Sequence, residues 1–232
     1  MFVLNGDNGM VSTPAGASFR VVRVWFSKTG RAKFISHLDL NRTMTRALRR
    51  AGLPIWYTEG FNKRPYLTFA APLSLGYEGL RECMDIRLLE DWPPERIVER
   101  LNAAMPEGLA VVAAAPAVMK PGALTAARYR LTFACSVATL AAFAAQEVIE
   151  AEKFTKKKER KMIDLKPALA NAPSPQAAGD ECCTWELTLP CNSTDTVNPS
   201  LIAQALNAFA GREIACRVLR LELLGTDGAP FA

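Results

Sequence analysis

The 232 residues include a single histidine, His37. Sites built from several imidazoles, and Cys/His/Asn arrangements that need a second one, are therefore excluded. Six cysteines occur, but no pair has C-x-x-C spacing, and the C-x-x-x-C-x-x-C run of a radical-SAM cluster is missing. A tetrahedral zinc site takes two close pairs of ligands, so neither a metal nor a cofactor is expected. Cys83, Cys135 and Cys216 sit in apolar, strand-like runs and read as small hydrophobes. No stretch approaches the ~18 apolar residues of a membrane span. The N-terminal residues lack the positive start and apolar core of a secretory signal, and a cytoplasmic protein is expected.

What is present is a folding composition: 50% hydrophobic and 22% charged residues. Residues 20–27 alternate apolar and charged, as a strand does. Ser36 opens S-H-L-D, a capping-box-like helix start, and Leu40, Met44, Ala47, Leu48 and Ala51 follow at helical spacing up to Gly52 and Pro54. Residues 54–58 and 66–75 look extended, and 83–89 reads as a strand. A helix begins near Pro93-Pro94, and 109–114 closes the pattern as a strand. The order recurs: a strand at 128–136, a helix at 137–151, strands at 160–165 and 183–190, a helix from Asn198-Pro199 to Phe209, and a strand at 214–224. Two tandem ferredoxin-like β-α-β-β-α-β units of an α+β protein are expected. Their bounds are 19–115 and 127–225, joined by a 116–126 linker, with a flexible arm at 1–18 and a tail at 226–232. The loop 172–181 reads as a mobile connector.

The net charge of +5 is unevenly spread. Arg20 to Tyr66 holds 11 Lys/Arg against Asp39 and Glu59, whereas Leu67 to Met119 holds 4 against 8 acidic residues. A second basic run, Lys153 to Lys166, has 7 basic and 2 acidic residues. Concentrated positive patches suit a polyanion. Arg42, Arg46, Arg49 and Arg50 lie at i, i+4, i+7 and i+8, sharing one helix face opposite the apolar stripe, with Asp39 the only acid of that helix. A solvated helix face usually mixes signs, so the missing acids favour phosphate as the partner. In Glu59 to Gly79, Trp56, Tyr57, Phe61, Tyr66 and Phe69 interleave with Lys63 and Arg64 in and just before the segment. Aromatics beside cations suit single-stranded RNA, whose bases stack while its phosphates meet Lys and Arg. Trp56 and Phe69 read better as core.

The segment KFISHLDLNRTMTRALRRAGLPIWYTEGFNKRPYLTFAAPLSLGYEG, followed by ECMDIRL, resembles a bacterial family of unknown function, the radical-SAM-linked proteins. Lys63 stands where that family often has proline, and Tyr66 where it often has a basic residue. The resemblance implies a partner, because members occur beside or fused to B12-binding radical-SAM proteins. Their genes tend to lie near those of ribosomal proteins and ribonucleases, which implies RNA or translation.

Three functions compete. The first is an RNA-binding accessory protein working with a radical-SAM enzyme in RNA or ribosome-related modification. Lys33, His37, Arg42, Arg46, Arg49, Arg50, Asn62, Lys63 and Arg64 are its contact residues, and Lys156, Lys157, Lys158, Arg160 and Lys161 add unspecific affinity. The second is a metal-independent RNA-cleaving enzyme with His37 as general base. The third is a purely protein-binding partner that presents Asp85, Glu90, Asp91, Glu95 and Glu99.

Overall fold

Ser36 decides where the first helix begins. Its backbone is extended, and its hydroxyl accepts the Asp39 amide hydrogen at 3.1 Å while donating to the Asp39 carboxylate at 2.7 Å. The two residues thereby satisfy one of the helix's orphan donors. Helix α1 (His37–Arg50) then buries Leu40, Met44, Ala47 and Leu48 and leaves its arginines outside, as the spacing requires. Glycine and proline follow, so the helix stops.

The computed structural model describes residues 10–12, 18–154, 160–179, 181–192 and 195–232. The chain is a mixed α+β protein with mostly antiparallel strands and, among the described residues, four α-helices. It divides into two units, one reaching to Leu124 and including Pro230–Ala232, the other Thr125–Ala229.

In the first unit, strands β1 (Met10–Ser12) and β2 (Ser18–Lys28) pair antiparallel. After α1 come β3 (Leu67–Phe69), β4 (Glu78–Leu88), helix α2 (Pro94–Asn102) and β5 (Leu109–Pro116). The antiparallel order is β5-β2-β4-β3. Register places Val22 opposite Ile86 and Val24 opposite Met84, and these residues join Leu40, Met44 and Leu48 of α1 and Ile97 and Leu101 of α2 in one core. Both helices therefore cover the same sheet face. The other face carries Arg23, Trp25, Cys83 and Asp85. Arg23 grips Asp85 through Nε (2.8 Å) and Nη2 (2.9 Å), and its guanidinium carbon lies 4.0 Å from the Phe231 ring centroid. The Trp25 indole donates to the Phe231 carbonyl at 3.2 Å, so the last residues of the chain are part of this unit's packing.

In the second unit, β6 (Ala126–Phe133) leads to α3 (Val137–Ala144), then β7 (Glu150–Phe154), β8 (Arg160–Asp164), β9 (Gln176–Ala177), β10 (Cys183–Pro190), α4 (Pro199–Ala210) and β11 (Cys216–Leu224). The order is β11-β6-β10-β9. Odd-numbered residues of β6 and β10, among them Leu131, Phe133, Trp185 and Leu187, are buried with Leu140 and Phe143 of α3 and Ile202 and Leu206 of α4. Ser136 caps α3 by accepting the Thr139 amide at 3.2 Å, and Gly211 ends α4 at φ +64°.

Four expectations are corrected here. The helix expected over 137–151 ends at Ala144, because 150–154 pairs with 160–164 in a separate two-stranded sheet that buries Ala151. The strand expected at 160–165 consequently lies off the unit's sheet, whose edge beside β10 is taken by β9. Of the extended stretch 66–75, only Leu67–Phe69 pairs in a strand. The loop 172–181 likewise contributes β9 and receives the Trp185 indole hydrogen bond on the Pro173 carbonyl at 2.7 Å.

Burial accounts for the thiols. Cys83 and Cys183 lie in the cores, and loss of solvent pushes each up to about 12, as it does Cys216. All three stay protonated and poorly nucleophilic at neutral pH. The Cys135 and Cys183 sulfurs are 3.7 Å apart. Among the described residues no group of three or more His, Cys, Asp or Glu is placed to hold a metal ion, and no helix is long and apolar enough to cross a membrane.

Candidate functional site

The basic residues singled out in the sequence fall into three sets. The first lies on α1. All four arginines are exposed, but their surroundings differ. Arg42 is paired locally with Asp39 at 3.1 Å. Arg50 turns its Nη2 to the Ala104 carbonyl at 2.7 Å and ties the helix to the segment after α2. Arg46 and Arg49 have no hydrogen bond or ion pair among the described residues. Two guanidinium groups of the four are thus left to solvent, with Asp39 already engaged.

The start of α1 is built by a neighbouring turn. Gly108, at φ +83°, lets the chain approach so closely that a Cβ there would sit 2.7 Å from the Thr29 carbonyl. Thr29 in turn donates to the Gly108 carbonyl at 2.8 Å, which fixes the 3-10 turn Gly30–Phe34. Lys33 lies on that turn. Its carbonyl accepts from the Gly76 amide (2.9 Å) and from the buried Lys28 ammonium (3.3 Å), and its own ammonium lies 5.2 Å from the Phe34 ring centroid. The turn, the helix start and the 70–77 loop therefore meet at one end of the unit. Phe34, Leu38 and Leu75 are exposed there at 66%, 59% and 64%. Arg31, which the sequence reading passed over, is exposed on the same turn. His37 is exposed and packs edge-on against Phe69, with ring centroids 5.0 Å apart.

The Ser36 hydroxyl, and after it Arg42, hold the Asp39 carboxyl below its ordinary value of 3.8. A carboxylate favoured by folding contributes stability above its unfolded pKa and loses it as pH falls through the lower folded one. Thermal melts from neutral pH down through the acid range therefore show a loss in which Asp39 takes part. Replacing Ser36 by alanine costs about 1 kcal/mol at neutral pH through the lost cap and flattens that acid limb. An unchanged limb in the variant would contradict this account.

The second set is the loop after α1. Asn62, Lys63 and Arg64 are all exposed, and none uses its side chain in a hydrogen bond or ion pair among the described residues. Tyr66, which the sequence sets beside these cations, and Trp56, which it reads as core, enclose Arg87 together with Phe19. The Arg87 guanidinium carbon lies 3.7, 4.1 and 4.9 Å from the ring centroids of Tyr66, Phe19 and Trp56. Nothing in the local sequence announces this cluster, since its members come from four separate segments.

The third set belongs to the other unit. Lys156, Lys157 and Lys158 lie outside the described residues. Arg160 pairs with Glu152 at 3.2 Å, and Lys161 is exposed. Lys153 and Lys166 spend their ammonium groups on the Thr196 and Ala144 carbonyls, so this run is less free than its charge suggests. A polar hollow in that unit is lined by Arg130, Ser174, Gln176, Thr184 and Glu186, with Arg130 and Glu186 paired at 2.7 Å.

The five acids considered as a contact face do not stand together free. Asp85 is committed to Arg23, Asp91 to Arg20 at 2.7 Å, and Glu90 accepts from the Trp92 indole at 3.1 Å, while Glu95 and Glu99 are exposed on α2.

No curated protein matches the chain. Residues 21–199, which include α1, the Asn62–Arg64 loop and most of the second unit, match a family described as an uncharacterized protein conserved in bacteria (DUF2344), and the chain belongs to that family.

Proposed function

We propose that this protein is an RNA-binding accessory protein that works beside a radical-SAM enzyme in RNA or ribosome-related modification. The observation that carries the RNA half of this reading is the pair Arg46 and Arg49. Both are exposed, unpaired and borne on a helix whose opposite face is locked into the core. Guanidinium groups carried in that way, without an ion pair among the described residues, are suited to phosphate. The partner class is supported by the family resemblance alone. We further propose that both units are ferredoxin-like. The orders β5-β2-β4-β3 and β11-β6-β10-β9, with two helices packed on one face of each sheet, support this, the β7-β8 hairpin being an insertion in the second unit.

A filter-binding titration with RNA at two salt concentrations tests the reading. If Arg46, Arg49, Lys63 and Arg64 each meet a phosphate, affinity for a single strand falls roughly 50-fold between about 50 and 200 mM salt. No binding at the lower salt would remove the proposal.

A further inference from the structure

Phe61 is the most exposed large apolar residue described, at 109% of its reference accessibility. It stands at the tip of a closed loop. Tyr57 bridges Pro65 antiparallel, the Thr58 amide donates to the Arg64 carbonyl at 2.9 Å, and the Arg64 amide donates to the Thr58 hydroxyl at 3.2 Å. Gly60, at φ +110°, makes the turn that sends Phe61 outward. The stem is anchored, because Trp56 donates to the Arg87 carbonyl at 2.8 Å, Tyr66 donates to the Trp56 carbonyl at 3.1 Å, and the two rings clasp Arg87. A rigid stem therefore presents an aromatic ring that forgoes burial within its own fold.

The residues after the ring are Asn62, Lys63 and Arg64, all exposed and with unengaged side chains, against one acid, Glu59. The matching ligand offers a flat apolar face and a negative charge within a few ångströms of each other, as a nucleotide does. In a duplex the base faces are buried in their own stack, whereas a single strand leaves them open. We infer that the loop 58–64 binds single-stranded RNA, with Phe61 stacking on one base and Lys63 and Arg64 meeting the adjoining phosphates. This rests on the RNA-binding reading above and deepens it with a residue that carries no charge, Phe61, whose ring needs an unstacked base. An anionic membrane would also attract these cations, but one apolar tip inserts too little surface to hold a protein there.

The test uses the full chain and three probes: a 12-nucleotide single-stranded RNA of mixed sequence, an RNA hairpin of matched charge, and phosphatidylglycerol–phosphatidylcholine vesicles. The wild type prefers the single strand. Phe61→Ala lowers single-strand affinity by about tenfold, leaves hairpin affinity within about twofold, and keeps the salt slope, because stacking is lost and no phosphate contact is. Phe61→Trp restores affinity and adds an emission that the RNA quenches. Full exposure of the side chain means that neither variant alters thermal stability. Equal single-strand affinity in Phe61→Ala, or a preference for the hairpin, overturns this inference while the RNA-binding reading stands. Absence of RNA binding by the wild type, or sedimentation with vesicles in its place, overturns both.

Discussion

Arg46→Glu combined with Arg49→Glu lowers RNA affinity by about 100-fold or more at low salt and leaves the fold intact. Each lost phosphate contact removes about 0.7 from the single-strand salt slope, so the pair reduces it by about 1.4, and the new carboxylates add repulsion. Neither side chain has a partner within the described protein, so nothing is left unsatisfied by its removal. Arg49 lies in the last turn of α1, where a cation suits the helix dipole, and its reversal costs about 0.3–1 kcal/mol. Arg46, in the exposed middle, stays within about 0.5 kcal/mol. Arg50 is a poor choice for the same experiment, because its bond to the Ala104 carbonyl makes any loss of binding ambiguous with a loss of structure. Fluorescence anisotropy with labelled RNA and a thermal melt on the same sample check both halves. Unchanged affinity would show that the face has another purpose.

Asp85→Ala has the largest effect expected on stability, about 3–5 kcal/mol, out of the 5–15 kcal/mol typical of a domain. Arg23 is fully buried, and one of its terminal nitrogens, Nη1, already lacks a hydrogen-bond partner. With the carboxylate gone, the guanidinium keeps only the Met119 carbonyl at 2.9 Å and the face of Phe231. An uncompensated buried cation is the costly outcome, not the loss of the pair itself. Arg23→Met with Asp85→Leu therefore comes within about 1–2 kcal/mol of the wild type, since both charges leave together. Urea denaturation resolves the two variants. A loss below about 1 kcal/mol for Asp85→Ala would mean that water reaches Arg23.

The legible features share a short range. The Ser36–Asp39 cap, the apolar spacing of α1, the Asn198-Pro199 start and the Gly211 stop of α4 all act within one or two helical turns. Residue order states them directly. The end of α3 was not legible, because Ala145 to Glu150 contains no glycine or proline. The helix yields there to the pairing of Glu150 with Asp164 and Ala151 with Ile163, and Asp164 accepts the Ile149 amide at 3.1 Å. The arginines of α1 make the same point for the site. Their common face follows from 3.6-residue periodicity. That Arg50 is engaged while Arg46 and Arg49 are not depends on a carbonyl 54 positions away.

Composition and local order thus establish an α+β chain with one imidazole, thiols without ligand spacing and cations gathered on a single helix face. Which of those cations is neutralised, which aromatic rings are spent on Arg87 and which stand in solvent were settled by contacts between segments far apart in the chain. Charge pairing and burial act through distance in space, and residue order carries that distance only over a few turns.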